Sequence, residues 1–309
     1  MKEISERESA STPDVGVLLS VFRPNLNWLA DQIQSVEKQM HVNASLSIRN
    51  DSSTSIGIPI RDRPFVLAPS EHLGVGASNL ALLADSKSGG IAFCDQDDVW
   101  HEMKLTMQLK ALNGIETPAL SYCDFKVVNS DLDLIKVRRA PKRITKFTFL
   151  FRNNIPGFSI YLNDEARIFL KESKLFLPKD GFHDWWSLLA ISQIGICKRV
   201  PHVLASYRLH DSNVIGISLT NWKRLKRLKQ RMKSGLSESR AMIEQMVKYL
   251  EYTNEKNHEY LFLSNVVEGM RLKRGKRLQL LIREGILKSP LSEVLIVMFL
   301  YLIPKKITS

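Results

Sequence analysis

Over roughly its first 110 residues the chain alternates short apolar runs with segments of helical periodicity, which restricts it to βαβ units on a mainly parallel sheet. "DVGVLLSVF" (14–22) reads as a first strand. In "NWLADQIQSVEKQ" Leu29, Ile33 and Val36 recur at helical spacing. "ASLSIRNDSS" (44–53) alternates apolar and polar residues and ends in turn formers, as a second strand does. "NLALLAD" (79–85) is helical and "IAFCD" is the next strand. "HEMKLTMQLKAL" then places Leu105, Leu109 and Leu112 on one helical face. Right-handed crossovers line up the carboxyl ends of such strands along one edge, where open α/β sheets bind ligands. Ser20, Asp51 and Asp95 all fall at those ends.

Further on, "ALSYCDFKVV" (119–128), "GFSIYLN" (157–163) and "HVLASYRLH" (202–210) read as strands, and "HDWWSLLAISQIG" (183–195) as a helix ending at Gly195. After Thr220 the pattern is almost wholly helical. The chain therefore divides into a polar tail (1–13), an α/β catalytic domain (14–216) and a basic helical region (217–309). The tail lacks the apolar core of a secretion signal. Cys94, Cys123 and Cys197 are odd in number and far apart, so they form neither a disulfide framework nor a zinc pattern. They read as small buried hydrophobes in a reducing, cytoplasmic compartment.

The formal net charge is +12, and the excess lies in the C-terminal third. In "NWKRLKRLKQRMK" (221–233) Trp222, Leu225, Leu228 and Met232 share one helical face, with cations on the others. That is the pattern of a helix lying on an anionic membrane, or of a solvated basic helix packed on the domain. A second basic run spans Arg271 to Arg277. "SEVLIVMFLYLI" (292–303) is apolar but falls short of the ~20 residues of a membrane span, so it reads as a buried or interfacial helix.

"IAFCDQDDVW" (91–100) sets Asp95, Asp97 and Asp98 at the end of an apolar strand, where their mutual repulsion calls for a positive partner. Carboxylate oxygens are hard ligands and suit Mg²⁺ or Mn²⁺. No P-loop is present, and "GVGASN" (74–79) lacks the third glycine of a dinucleotide fingerprint. In "RNDSSTS" Asp51 is either an acceptor for a base N–H or a turn-capping residue. In "HDWW" Asp184 lies beside two tryptophans. It is either a carboxylate raised toward neutrality, able to act as a general base, or a helix N-cap.

The motifs, in order, resemble those of the family 2 glycosyltransferases, specifically the bacterial rhamnosyltransferase-like branch. The resemblance runs from Val15 to Gly216. "VLLSVFRPNLNWLADQIQSVEKQ" is similar to the family's opening strand and helix, "IRNDSSTS" to its acidic turn and "HLGVGASN" to the following Gly-Asn stretch. "FCDQDDVWHEMKL" resembles the metal motif, "NNIPGFSIYLN" the acceptor-side segment, "HDWW" the segment of the catalytic base and "YRLHDSNVIG" the closing motif. Asn50, Ser52, Ser55, His72 and the pair Arg23-Pro24 depart from the usual pattern, whereas the metal and base positions are intact.

The resemblance implies a glycosyltransferase A-type (Rossmann-like) fold with a helical C-terminal extension. It implies inverting transfer of a sugar, rhamnose among the candidates, from a dTDP- or UDP-linked donor. The acceptor is expected to be a lipid-linked glycan of O-antigen or capsule synthesis. By the same resemblance Mn²⁺ or Mg²⁺ sits on Asp97 with His210, Asp95 assists at the donor's ribose or at the metal, and Arg208 and Lys104 support the donor. Ser20 and Asp51 hold the nucleoside, Asp184 is the base, and Gly157, Trp185 and Trp186 lie on the acceptor side. The expected location is the inner face of the cytoplasmic membrane, peripherally bound. Two other readings are a non-catalytic sugar-nucleotide binder and a nucleic-acid-binding protein using the basic helices. Against the second, the cations alternate with Leu and Met at helical spacing, and no nucleic-acid-binding motif is present.

Overall fold

The computed structural model describes residues 12–58, 65–87, 89–150, 153–178, 181–210, 238–254, 258–272 and 274–288. The expected alternation is present: β1 (Asp14–Val21), α1 (Leu26–Glu37) and β2 (Asn43–Asn50) form the first unit. A small hairpin, β3 (Ile56–Ile58) and β4 (Phe65–Leu67), precedes α2 (Val75–Asp85), β5 (Gly90–Cys94), β6 (Val99–Trp100) and α3 (Lys104–Ala111). Then come β7 (Ala119–Val128), β8 (Leu134–Arg138), β9 (Ile160–Leu162), α4 (Asp164–Ser173), α5 (His183–Ile194) and β10 (Ile196–Arg208). The C-terminal part contributes a helix at 238–252, here α6, then α7 (His258–Arg271) and α8 (Arg274–Arg283).

The main sheet has the order β2-β1-β5-β9-β7-β10-β6, with β8 added to β7. Its long ladders are parallel: β1 with β2, β1 with β5, and β7 with β10. The three-residue β9 is antiparallel to both of its neighbours, β5 and β7. It divides the sheet into two parallel blocks, a feature that no periodicity in so short a strand reveals. The sheet is thus the α/β, mainly parallel sheet expected, with an antiparallel seam in its middle.

Each face of the sheet carries its own core. Leu29, Ile33 and Val36 of α1 and Leu105 of α3 pack with Val17, Leu19 and Ala92 on one face. On the other, Leu83 of α2 and Leu170 of α4 pack with Leu18, Phe93 and Leu120. α5 belongs to this second layer and is apolar all round, and nearly all of it is buried. Met246 and Leu250 of α6, and Phe262, Leu263 and Val266 of α7, are buried in the same cluster. Burying a side chain of this size contributes about 1.5–3 kcal/mol, so these helices are held to the sheet layer by core packing. Lys146 adds a polar tie, with Nζ 3.9 Å from the Phe262 ring centre and 3.4 Å from Glu284. The basic helix expected at 221–233 and the apolar segment 292–303 lie outside the described residues, as does most of the 1–13 tail. Among the described residues no helix is long and apolar enough to cross a membrane.

Candidate active site

The register of the parallel block fixes which residues meet at the sheet edge. Leu19 pairs with Cys94 and Val21 with Asn50, so Ser20, Asp51 and Asp95 leave adjacent strand ends together. From there the loop from Asp95 to Trp100 is suspended by polar groups of α1. Gln32 donates to Cys94 Sγ at 3.0 Å, and Ser35 Oγ accepts from the Trp100 amide at 3.0 Å. Gln39 donates to the His101 carbonyl at 2.9 Å and accepts from the Leu105 amide at 3.0 Å. Gln32 and Ser35 lie on α1 and Gln39 just past its end, so α1 offers apolar residues to the sheet while these polar side chains hold the loop. Gln96 clips the loop to β1, accepting from the Phe22 amide at 2.8 Å and donating to its carbonyl at 3.2 Å.

Two of the expected metal ligands meet: His210 Nε2 lies 2.7 Å from Asp97 Oδ2. The His210 ring also packs against Trp28, with centroids 4.8 Å apart. The contact exists because Asp98 anchors the end of β10: its Oδ1 accepts from the Arg208 amide at 3.1 Å. Asp98 is fully buried and its Oδ2 has no hydrogen-bond partner. The Arg208 guanidinium donates to the Asp97 carbonyl and to Asp31, each at 3.0 Å, and to the Ser130 carbonyl. It is 2% exposed. The expected support of donor phosphates by Arg208 is therefore corrected: it braces the backbone of the Asp97 loop from behind.

The floor of this crevice is acidic. Burial first, then the neighbouring Asp97 and Asp184, raise the Asp95 carboxyl to about 7. Asp98 is pushed well up by burial and by Asp97 and Asp95. No group of three or more His, Cys, Asp or Glu side chains forms a complete metal cage among the described residues. A nucleotide-bound Mg²⁺ or Mn²⁺ needs fewer, because substrate phosphates fill much of its shell. The 2.7 Å between Asp97 Oδ2 and His210 Nε2 is a hydrogen-bond distance, so a cation there would take the place of the shared proton. Carboxylate oxygens, one imidazole and the mutual repulsion that raises Asp95 and Asp98 fit a divalent cation.

Near enough to Asp95 to act on its charge stands Asp184, in the first turn of α5 and 9% exposed. Burial raises its carboxyl to about 6, although amides of Trp185 and Gly157 and the side chain of Asn153 hydrogen-bond to it. Asn153 Nδ2 reaches Oδ2 at 2.8 Å, and the Trp185 amide reaches Oδ1 at 2.7 Å. Gly157 can be nothing larger without displacing its neighbours. A Cβ there would stand 3.2 Å from His183 Nε2 and 3.3 Å from Asp184 Cβ. His183 is buried edge-on to Phe93, and burial lowers its pKa to about 3, so it is neutral.

Four further expectations are corrected by where the side chains lie. Asp51 is buried and its two oxygens accept from the Leu73 and Gly74 amides at 2.8 and 2.9 Å, with His72 Nδ1 2.9 Å away. Those hydrogen bonds outweigh its burial and hold the carboxyl below its usual range. Its role is to clamp the loop before α2, whose Gly74 has φ +80°. The departures at Asn50 and Ser52 serve the same turn: Asn50 bonds the Thr54 and Leu67 carbonyls and the Ser52 amide. Trp185 and Trp186 are core residues, their indole N–H groups donating to the Phe149 carbonyl and to Ser173 Oγ. They do not line an acceptor pocket. Lys104 is fully buried, its Nζ 3.8 Å from the Trp100 ring centre and without a hydrogen-bond partner. Ser20 stays at the crevice edge, half-buried.

Burial lowers the Lys104 pKa to about 8, so its ammonium destabilises the fold near neutral pH. Replacing it with methionine, Lys104→Met, is expected to stabilise the protein by about 1–3 kcal/mol at pH 7 in chemical denaturation. The folded pKa lies below the unfolded one, so between about pH 8 and 10.5 the unfolded chain binds more protons. The parent should therefore gain on the variant across that window. A variant less stable than the parent at pH 7, or one that loses donor affinity tenfold, would return Lys104 to donor binding.

Asn153, Gln96, Asp31 and the polar side chains of Gln32, Ser35 and Gln39 escaped the reading of the sequence, and Asp98 was read only as one of three strand-end carboxylates. Only Gln32 and Ser35 carry a signal, polar residues at helical spacing beside an apolar face.

No family model matches the chain. It is 28% identical over 221 residues to UDP-Glc:alpha-D-GlcNAc-diphosphoundecaprenol beta-1,3-glucosyltransferase WfgD of Escherichia coli, covering 68% of this chain and 83% of that protein. It is 24% identical over 226 residues to dTDP-rhamnosyl transferase RfbG of Shigella flexneri, covering 65% and 75%. Among solved structures, residues 1–349 of TarS from S. aureus align with a TM-score of 0.48 at 10% identity, covering 83% of this chain and 79% of that one. Over about two-thirds of its length the chain is thus similar in sequence to bacterial glycosyltransferases.

Proposed function

We propose that the chain is an inverting, metal-dependent glycosyltransferase of bacterial surface-polysaccharide synthesis. It takes a dTDP- or UDP-linked sugar as donor and a lipid-linked glycan as acceptor. The observation that carries the proposal is the clustering of Asp97, in contact with His210, and the buried Asp184 around the Asp95 carboxyl at the sheet edge. In the reaction the acceptor hydroxyl oxygen forms a bond to the anomeric carbon as the bond to the nucleoside diphosphate breaks, and the hydroxyl proton passes to Asp184. Asn153 and Gly157 aim the carboxylate at that proton, and its elevated pKa lets it hold the proton once transferred. Asp97 and His210 would hold the cation, with Asp95 beside them. Bound there, the cation neutralises charge on the departing diphosphate. Arg208 and Asp98 keep β10 and the Asp97 loop in register, so His210 stays against Asp97.

The named relatives use different donors, one UDP-glucose and the other dTDP-rhamnose, which leaves glucosyl and rhamnosyl transfer as the first candidates. The acceptor in the glucosyltransferase's name is a sugar on a polyprenyl diphosphate, which supports a lipid-linked acceptor at the inner face of the cytoplasmic membrane. A thermal-shift screen of nucleotide sugars, with and without Mn²⁺, tests the reading. A metal-dependent rise with one donor, of the size expected for ligand at many times its Kd, supports it. No shift with any nucleotide sugar in the presence of Mn²⁺ sinks it.

A further inference from the structure

A second concave site adjoins the first. A cavity of about 620 Å³ opens between the end of β8 and the segment 154–156, within the range of small-molecule sites. Arg138, Arg139, Lys142 and Arg143 line it, with Phe125 and Pro156, and no acidic side chain does. Arg139 is committed in part, its Nη1 lying 2.9 Å from Asp124, which also binds Arg199 in a bidentate pair. Arg138, Lys142 and Arg143 are exposed and form no ion pair among the described residues. Three unpaired cations and the partly committed Arg139 around one concavity are arranged for a multiply charged anion.

The cavity also shares a wall with the mount of the base. Asn153 binds Asp184 through Nδ2 and accepts from the Ile155 amide at 3.0 Å through Oδ1. A ligand whose hydroxyl meets Asp184 therefore has its continuation beside the four cations. Beyond them, on the outer side, β8 is exposed on both faces. Leu134 is 62% exposed, Ile135 50% and Val137 43%. Among the described residues no strand pairs with its other edge. An exposed apolar edge strand is a liability unless something apolar covers it. The cavity thus adjoins the mount of the base through residues 154–156 and the exposed strand through Arg138.

Building on the transferase reading, we propose that this cavity binds the diphosphate of a polyprenyl-diphosphate-linked acceptor, with β8 meeting the lipid. A nucleic acid is a poorer match, since its backbone needs an extended basic stripe and has no use for the apolar strand.

The full chain is tested with farnesyl diphosphate in the absence of divalent cations. Binding is expected to fall at least 10-fold in the double variant Arg138→Gln, Arg143→Gln, and to survive in Arg138→Lys, Arg143→Lys. Both pairs are exposed, and an unchanged Tm confirms that the variants fold. Asp97→Ala should bind the probe like the parent, because its carboxylate belongs to the donor side. In turnover, the glutamine variant should raise KM for a diphosphate-linked acceptor at least 10-fold and leave KM for the phosphate-free glycoside unchanged. Equal farnesyl diphosphate binding by variant and parent overturns the proposal. So does an equal loss of binding to plain phosphatidylglycerol vesicles, which would assign the cations to headgroups in general. If the chain transfers no sugar at all, the transferase reading fails while the binding result still decides the cavity.

Discussion

Asp184→Asn is expected to lower kcat by about 10²–10⁴-fold, the usual contribution of a positioned general base, and to leave donor affinity within about twofold. The separation follows from the geometry. Asp184 is anchored by Asn153 and by the amides of Gly157 and Trp185, a set of partners that it does not share with the Asp97–His210 pair. Its pH signature has a definite sign. Burial raises the carboxyl to about 6, so the base is protonated and inactive below that value and competent above it. The parent should show a single acid limb in kcat/KM with its midpoint near 6, activity rising with pH through it. The residual activity of Asp184→Asn should lack that limb. Asn153→Ala supplies a graded control, since it removes one hydrogen bond to the carboxylate and should shift the limb upward. Isothermal titration with the donor and steady-state rates separate the cases. Donor binding as weak in Asp184→Asn as in a crevice-floor variant would mean that Asp184 faces the donor.

The alternation of strand and helix, the strand-end positions and the order of the motifs were legible because each rests on local period or short-range spacing. Asp95 and Asp97 were singled out by their place at a strand end, and Gly157, Asp184 and His210 through the resemblance; His210 touches Asp97, Gly157 adjoins Asp184, and Asp97 and Asp184 both act on Asp95. What spacing cannot supply is the direction of a side chain. Trp185 and Trp186 adjoin Asp184 in sequence, yet the helix turns both indoles into the core, where a carbonyl and a hydroxyl await them. Lys104 sits in the best-matched motif, but as the first residue of α3 it points under the sheet edge. Asp51 was read with two open roles, and the amides of Leu73 and Gly74 select the turn. Asn153 stands 31 positions from Asp184 in a segment with no period, so only the fold joins them. The strand at β9 was read, but its antiparallel direction was hidden for a related reason: pattern within a strand does not say which way it runs.

Asp97→Ala is expected to abolish the metal-dependent gain in stability with a nucleoside diphosphate, a loss of about 2.7 kcal/mol when ligand is present at a hundredfold its Kd. Asp97 contributes the carboxylate that touches His210, and with it gone that pair of donors no longer exists. The same substitution has an opposite effect without metal. Asp97 is the nearest charge raising both Asp95 and Asp98, so removing it relieves repulsion at the crevice floor. The metal-free variant should therefore be no less stable than the parent, the lost His210 contact being offset by that relief. Heat denaturation of both proteins, with and without Mn²⁺ and UDP, gives four midpoints. The parent's should rise only when both ligands are added, and the variant's should move with neither. His210→Ala should retain part of the shift, because Asp97 still offers an oxygen and Asp95 stands beside it. An equal Mn²⁺-dependent shift in parent and Asp97→Ala would place the cation elsewhere, and the acidic loop would then need another positive partner to explain its three carboxylates.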